Sequence, residues 1–315
     1  MQTKNASQLE HFGRALVDLG LLHEELVVLD PDVAASTKVT YFAERFPERF
    51  IRIGISEQDM IGVAAGLAAS GKTPIACGFA MFMACRSWEQ ISSSVARPGL
   101  NVKIVGSHSG LSPSADGDSH QTYGDVAVMR VIPAMKVVVP ADAQEAVEAL
   151  GARVDAHGPA YLRLSRGATP VVYDEGCEYT LGKANVLREG LDASVVANGV
   201  MVPMALEAAG RLSDEGISVR VLDMHTVKPL DTDAITKAAA ETGAIVTAEE
   251  HSIIGGLGSA VAETLAVERP TPMERVGIMD RFGESSRSYS ALMAKMGLTS
   301  DTIEEAVREA VKRRN

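Results

Sequence analysis

Basic residues are in short supply. Thirty Lys and Arg stand against 41 Asp and Glu, a formal net charge of -11 over 315 residues, which argues against nucleic acid as a partner because nucleic acid rewards basic grooves. Long hydrophobic runs are missing too. The apolar stretches break off well before the roughly 18 residues a membrane span needs. Cysteine is limited to Cys77, Cys85 and Cys177, an odd number with no metal-ligand spacing. This reads as reduced, mainly structural thiols in a cytoplasmic protein. No GxxxxGK[ST] occurs, and "GGLGSA" after "TAEEHSII" lacks the full GxGxxG spacing, so that turn reads as close helix packing rather than a nucleotide loop. Aromatic residues make up 4% of the chain, so Phe79 and Phe82, within one turn of each other, are conspicuous.

What is present is an alternation. Short β-branched runs ("ELVVLDPD", "RFIRIG", "TPIACGF", "NVKIVGS", "MKVVVP", "PAYLRLSRG") are separated by helical stretches, including one from Phe82 towards Val95. This pattern predicts a mostly parallel sheet covered on both faces. The composition loosens around Gly167 to Gly182. A second α/β unit follows, with "ASVVANG", "SVRVLDMHTVKPL" (read as one strand), "GAIVTAEEH" and "PMERVGI" as strands and a last helix from Ser300. The expectation is α/β, two three-layer domains, over residues 1–170 and 185–315, joined by a linker at 171–184.

Four places can carry chemistry. Glu57 opens the Ala/Gly-rich helix of "GISEQDMIGVAAGLAASG"; it is either a carboxylate favoured by the helix N-terminus or one delivered to the strand edge where open α/β sheets build sites. Phe79 and Phe82 are either core or an apolar wall for a flat heterocycle. The polar loop "SHSGLSPSADGDSHQ" holds His108, Asp116 and His120; a loop this polar is expected to bury little, its spacing fits no compact metal site, and imidazoles with a carboxylate suit hydroxyl or phosphate recognition. Arg166, at a strand end before a glycine, suits either a solvated edge or an anion clamp.

Taken together, these motifs resemble the C-terminal half of a transketolase, from "ASQ" near the start to the terminal helix: a thiamine diphosphate pyrimidine-binding domain followed by a transketolase C-terminal domain. The resemblance implies that Glu57, in the "GISEQDM" context, hydrogen-bonds the ring nitrogen of the cofactor's aminopyrimidine, and that Phe79 and Phe82 line that ring. The proton shared with Glu57 would drive the 4'-amino group towards its imino form, which removes the thiazolium proton. His108, Asp116, Gly117, His120 and Gln121 match the family's "H-x7-D-G-x-x-H-Q". This makes His108 a ligand of the sugar-phosphate end, Asp116 of a hydroxyl, and His120 a catalytic group at the reacting end. Ser36 and Arg166 match phosphate-contacting residues. The chain departs from the family twice: Cys85 stands where a tyrosine is usual, and Lys4 is the nearest cation to a usual arginine.

The family's diphosphate and metal motif, Gly-Asp-Gly followed by Asn, is absent: "DGD" at Asp116 to Asp118 is a poor match, and no Asn occurs between Asn101 and Asn185. The implied cofactors are thiamine diphosphate with Mg2+ or Ca2+ held mainly by a separate transketolase N-terminal subunit. The implied activity is transfer of a two-carbon ketol unit from a ketose to an aldose in an α2β2 assembly. The alternatives are the β-subunit of a 2-oxoacid dehydrogenase, half of a deoxyxylulose phosphate synthase, or a catalytically silent scaffold subunit of the same fold. Retention of Glu57, Asp116 and both histidines speaks against the last.

Overall fold

The computed structural model describes residues 4–314. Alternation inside each strand sets up the first layer. In Leu26–Asp30, Leu26 and Val28 face one core with Phe12, Leu16, Ile75 and Leu162, while Val27 and Leu29 face another with Met60, Ile61, Ala76 and Ile104. A strand buried on both faces needs helices on both, and each fully buried Leu or Ile contributes about 1.5–3 kcal/mol relative to exposure. The resulting seven-stranded sheet runs Thr226–Lys228, Lys136–Val138, Ala160–Arg163, Lys103–Ser107, Thr73–Phe79, Leu26–Asp30, Phe50–Arg52. All neighbours pair in parallel except the first two.

The second sheet has five strands, Met273–Ile278, Ile245–Ser252, Ala193–Ala197, Val219–Asp223 and Asn185–Arg188, of which only the last pairs antiparallel. Val195 and Val221 face a core closed by the helices Met201–Asp214 and Ser300–Arg314, and Val196 and Leu222 face the opposite one. The chain is therefore built of two α/β domains, as its pattern predicts.

Two segments depart from the sequence reading. "SVRVLDMHTVKPL" is not one strand: it leaves the second sheet after Asp223, and Thr226–Lys228 joins the edge of the first sheet. The expected helix after Phe82 is wound mostly with the wider π turn, over Met81–Arg86 and Ile91–Ala96, with a short α turn at Trp88–Gln90 between. Asp142 caps the helix Ala143–Asp155, its carboxylate accepting the Glu145 amide at 2.9 Å.

Candidate functional site

Glu57 follows the strand Phe50–Arg52 across a turn that Gly54 makes at φ 88°, a value side chains disfavour. It is the first residue of the helix Glu57–Ala69, and only 4% of it is exposed. A carboxylate buried to that degree needs a partner. Arg86 provides it, donating from Nη1 to Glu57 Oε2 at 2.8 Å. The same guanidinium lies over the Phe82 ring, 4.3 Å from its centroid.

The aromatic wall and the polar loop meet. Phe79 ends the strand Thr73–Phe79, and its ring is 4.3 Å from His108 and 6.2 Å from His120; Phe82 is 5.3 Å from His120, edge-on. Cys85 is exposed and Arg86, not Cys85, covers Phe82. His108, 5% exposed, leaves the strand Lys103–Ser107 at φ 54°, with Nδ1 3.1 Å from the Ser107 hydroxyl. Burial first, and then the Arg166 cation, push its pKa down to about 4, so its imidazole is neutral near pH 7. Arg166 donates to Asp116 Oδ2 at 2.6 Å.

Glu57, Phe79, Phe82, His108 and His120 thus come together beyond the ends of strands of the first sheet, with Asp116 and Arg166 paired beside them. Ser36 lies on the short helix Ala34–Thr37 after the strand Leu26–Asp30, exposed, and among the described residues it shares no hydrogen bond with the cluster. Lys4 is exposed, and its carbonyl accepts the Val171 amide at 2.9 Å, five residues beyond Arg166 in sequence. A cavity of about 830 Å³ lies elsewhere, lined by Arg130, Lys228 and Glu263.

The polar loop is not open to solvent as expected. Ser109, Leu111, Ser112, Ser114, Gln121 and Thr122 are all buried, because the C-terminal domain covers them. Glu250 Oε1 accepts the Leu111 amide at 2.8 Å, the Ser286 amide donates to the Ser114 carbonyl at 2.8 Å, and Gln121 bonds the backbone of Glu284. Gly110, at φ 60°, admits the Glu250 carboxylate; a Cβ there would lie 2.2 Å from it. Beneath the loop Arg163 donates to Asp125 at 2.8 Å and lies 3.7 Å from Glu250 Oε2. No sequence signal singles out Arg86 or Arg163. Glu249 and Glu250 stand out as an acidic pair, but only the structure separates their roles: Glu249 accepts the Leu257 and Gly258 amides at a helix start, and Glu250 faces the loop.

Comparison with known proteins places this geometry. Residues 5–171 match the family model "Transketolase, pyrimidine binding domain", and residues 182–303 match "Transketolase, C-terminal domain". The chain is 44% identical to the 6-deoxy-6-sulfo-D-fructose transketolase subunit SqwH of Clostridium sp. (strain MSTE9), over 95% of this chain and 93% of that protein. It is 40% identical to one of the subunits of the apulose-4-phosphate transketolase of Phocaeicola vulgatus, over 96% of each. A solved structure described as a split gene transketolase, inactive beta4 tetramer, superposes with a TM-score of 0.92 at 46% identity, over 98% of this chain and 99% of that one. The chain belongs to the transketolase family, as the C-terminal type of subunit encoded by a split gene.

That solved structure corrects two expectations. An active ketol-transferring enzyme is contradicted by its inactivity, and an α2β2 assembly with a separate N-terminal subunit is contradicted by its four β subunits. In this chain Glu57 is bound by Arg86 and Asp116 by Arg166. Among the described residues no group of three or more His, Cys, Asp or Glu side chains converges as metal ligands do, and no helix is long and apolar enough to cross a membrane.

Proposed function

We propose that this chain is a catalytically silent scaffold subunit of the transketolase fold, which assembles with copies of itself and keeps half of a cofactor and sugar site. The observation that carries this reading is the internal pairing of the site's charges, Glu57 with Arg86 and Asp116 with Arg166. A carboxylate bonded to a guanidinium shares no proton with a heterocycle until that bond is broken.

The residues present suit thiamine diphosphate in chemistry: a buried carboxylate stands beside an aromatic face, and a flat cationic donor already rests on both. Glu57 would hold the aminopyrimidine and Phe79 and Phe82 its ring, and the cofactor, when bound, supplies an electron sink for carbonyl chemistry. The diphosphate and its Mg2+ or Ca2+ are left to ligands other than these. His108, Asp116, His120, Arg166 and Ser36 are proposed to read a sugar with an anionic end, since the relatives' names carry a sulfonated and a phosphorylated sugar. The division into 1–170, 171–184 and 185–315 is kept as a proposal, with Thr226–Lys228 crossing it. Three free cysteines support a cytoplasmic setting.

Self-assembly has a candidate face. On the helix Glu57–Ala69, Gly62 and Gly66 are exposed, and a Cβ at either would meet nothing within 4 Å. Light scattering of the purified chain should give four times the chain mass, and a ketol-transfer assay with thiamine diphosphate and Mg2+ should give no product. Ketol transfer by the chain alone, or a stable monomer, would overturn the reading. Gly66→Leu should shift the mass below that of the tetramer if this helix packs on a second copy.

A further inference from the structure

We infer that Arg86 is a built-in occupant of the aminopyrimidine place, a side chain that closes the half-site until it is displaced. This rests on the reading of Glu57 and Phe82 as a pyrimidine site. An aminopyrimidine in such a site needs an aromatic surface under its flat face and a carboxylate against a ring nitrogen. The Arg86 guanidinium is also flat, and it makes both contacts at once, 4.3 Å above the Phe82 centroid and 2.8 Å from Glu57 Oε2. Guanidinium stacking on a ring and pairing with a carboxylate are the two things arginine does that lysine does poorly.

The backbone at Arg86 is tied to the helix that carries Glu57, while half of its side chain lies in solvent. The Gln58 side chain donates to the Arg86 carbonyl at 3.2 Å, tying the π turn Met81–Arg86 to the helix that carries Glu57. The Arg86 side chain is 46% exposed, against 5% for that of Glu57. The arginine can therefore swing into solvent, whereas the carboxylate cannot. An occupant half in solvent can be displaced by a ligand that takes over its contacts, and so acts as a gate; one buried with its partner would be a permanent core ion pair. Removing it exposes the cost of the arrangement, because Glu57 is then a buried carboxylate without a partner. A ligand that brings a hydrogen-bond donor and a flat ring relieves that cost, so losing Arg86 favours the ligand twice.

The test is binding of thiamine diphosphate, and of thiamine alone, to the full-length chain, followed by saturation-transfer NMR at millimolar ligand and by thermal shift. Arg86→Ala should bind about tenfold or more tightly than the unmodified chain, the size of one charge-assisted hydrogen bond at a half-exposed site. It should also melt lower when unliganded and recover with ligand. Arg86→Lys, which reaches Glu57 but does not lie flat on Phe82, should fall between the two. Adding Glu57→Gln to Arg86→Ala should restore the melting temperature and abolish the gain in binding. Equal affinity in the unmodified chain and Arg86→Ala would overturn the gate while leaving the pyrimidine site standing. Weaker binding by Arg86→Ala would make the arginine a cofactor ligand instead. No binding by any folded variant would overturn the pyrimidine site, and the gate with it.

Discussion

Replacing Asp223 by asparagine should remove the pH dependence of stability that arises in one buried cluster between the two domains. Glu145, in the first turn of the helix Ala143–Asp155, and Asp223, at the end of the strand Val219–Asp223, are both fully buried, and the charge of Asp223 helps to raise the Glu145 carboxyl. Each has one oxygen already used: Glu145 Oε2 accepts the Ala141 amide at 2.7 Å, and Asp223 Oδ2 accepts the Tyr173 hydroxyl at 2.8 Å. The remaining oxygen of each has no donor unless a proton sits between them. The nearest cationic candidates do not supply one. His225 Nε2 is 4.0 Å from Glu145, and burial holds His225 down to about 4, while Arg153 is turned to Tyr179. Asp142 adds negative charge next door, though its own oxygens accept the amides of Glu145, Val172 and Tyr173.

Burial therefore pushes both carboxyls up, Asp223 to about 7. In the unfolded chain both ionise near pH 4. Between about pH 4 and 7 the native state holds a proton that the unfolded state has lost, so the unfolded state binds fewer protons and stability falls as pH rises. At about 1.4 kcal/mol per unit, the cluster loses on the order of 4 kcal/mol over that window. Asparagine keeps an oxygen for Tyr173 and brings an N–H to the ionised Glu145, so no proton is needed. Urea unfolding at one protein concentration, at pH 5, 6, 7 and 8, should show Asp223→Asn gaining steadily on the unmodified chain as pH rises. A difference constant to within about 0.5 kcal/mol would mean that the pair holds no proton.

The Arg163 guanidinium neutralises Asp125 and Glu250 beneath the site loop, and Arg163→Ala should cost roughly 3–5 kcal/mol by leaving two buried carboxylates unpaired, measured by thermal and urea unfolding; Asp125→Asn in the same background should recover part of it. His108, held down to about 4, should show neutral-ring NMR shifts down to pH 5. Because its unfolded pKa is higher, its contribution to stability is present above about pH 6.5 and is lost as pH falls towards 4. A ring titrating near 6.5 in the folded chain would refute its burial.

Legibility follows periodicity. Strands such as Thr73–Phe79 and Leu26–Asp30, buried along nearly their whole length, show as apolar runs. Failures come where a distant segment decides. "SVRVLDMHTVKPL" has one continuous β pattern, yet its two halves serve different sheets, because the edge of the first sheet is open at Lys136–Val138 and Thr226–Lys228 fills it. The polar loop after Ser107 reads as solvated because nothing nearby in sequence covers it. Its cover, Glu250 and the segment around Glu284, comes from more than a hundred residues away.

The same distinction governs the site. Composition and motif reveal which acids and imidazoles are present, and from that list their retention speaks for turnover. Whether a carboxylate is free is a pairwise property, and the partners lie 29 residues away for Glu57 and 50 for Asp116. Both pairs are charge-assisted bonds at 2.8 and 2.6 Å. Residue types that would serve catalysis in an open site here satisfy one another. Keeping them is therefore compatible with a silent subunit, since a buried Glu57 without Arg86, or a His108 wall without its neighbours, would cost stability whether or not any sugar ever arrives.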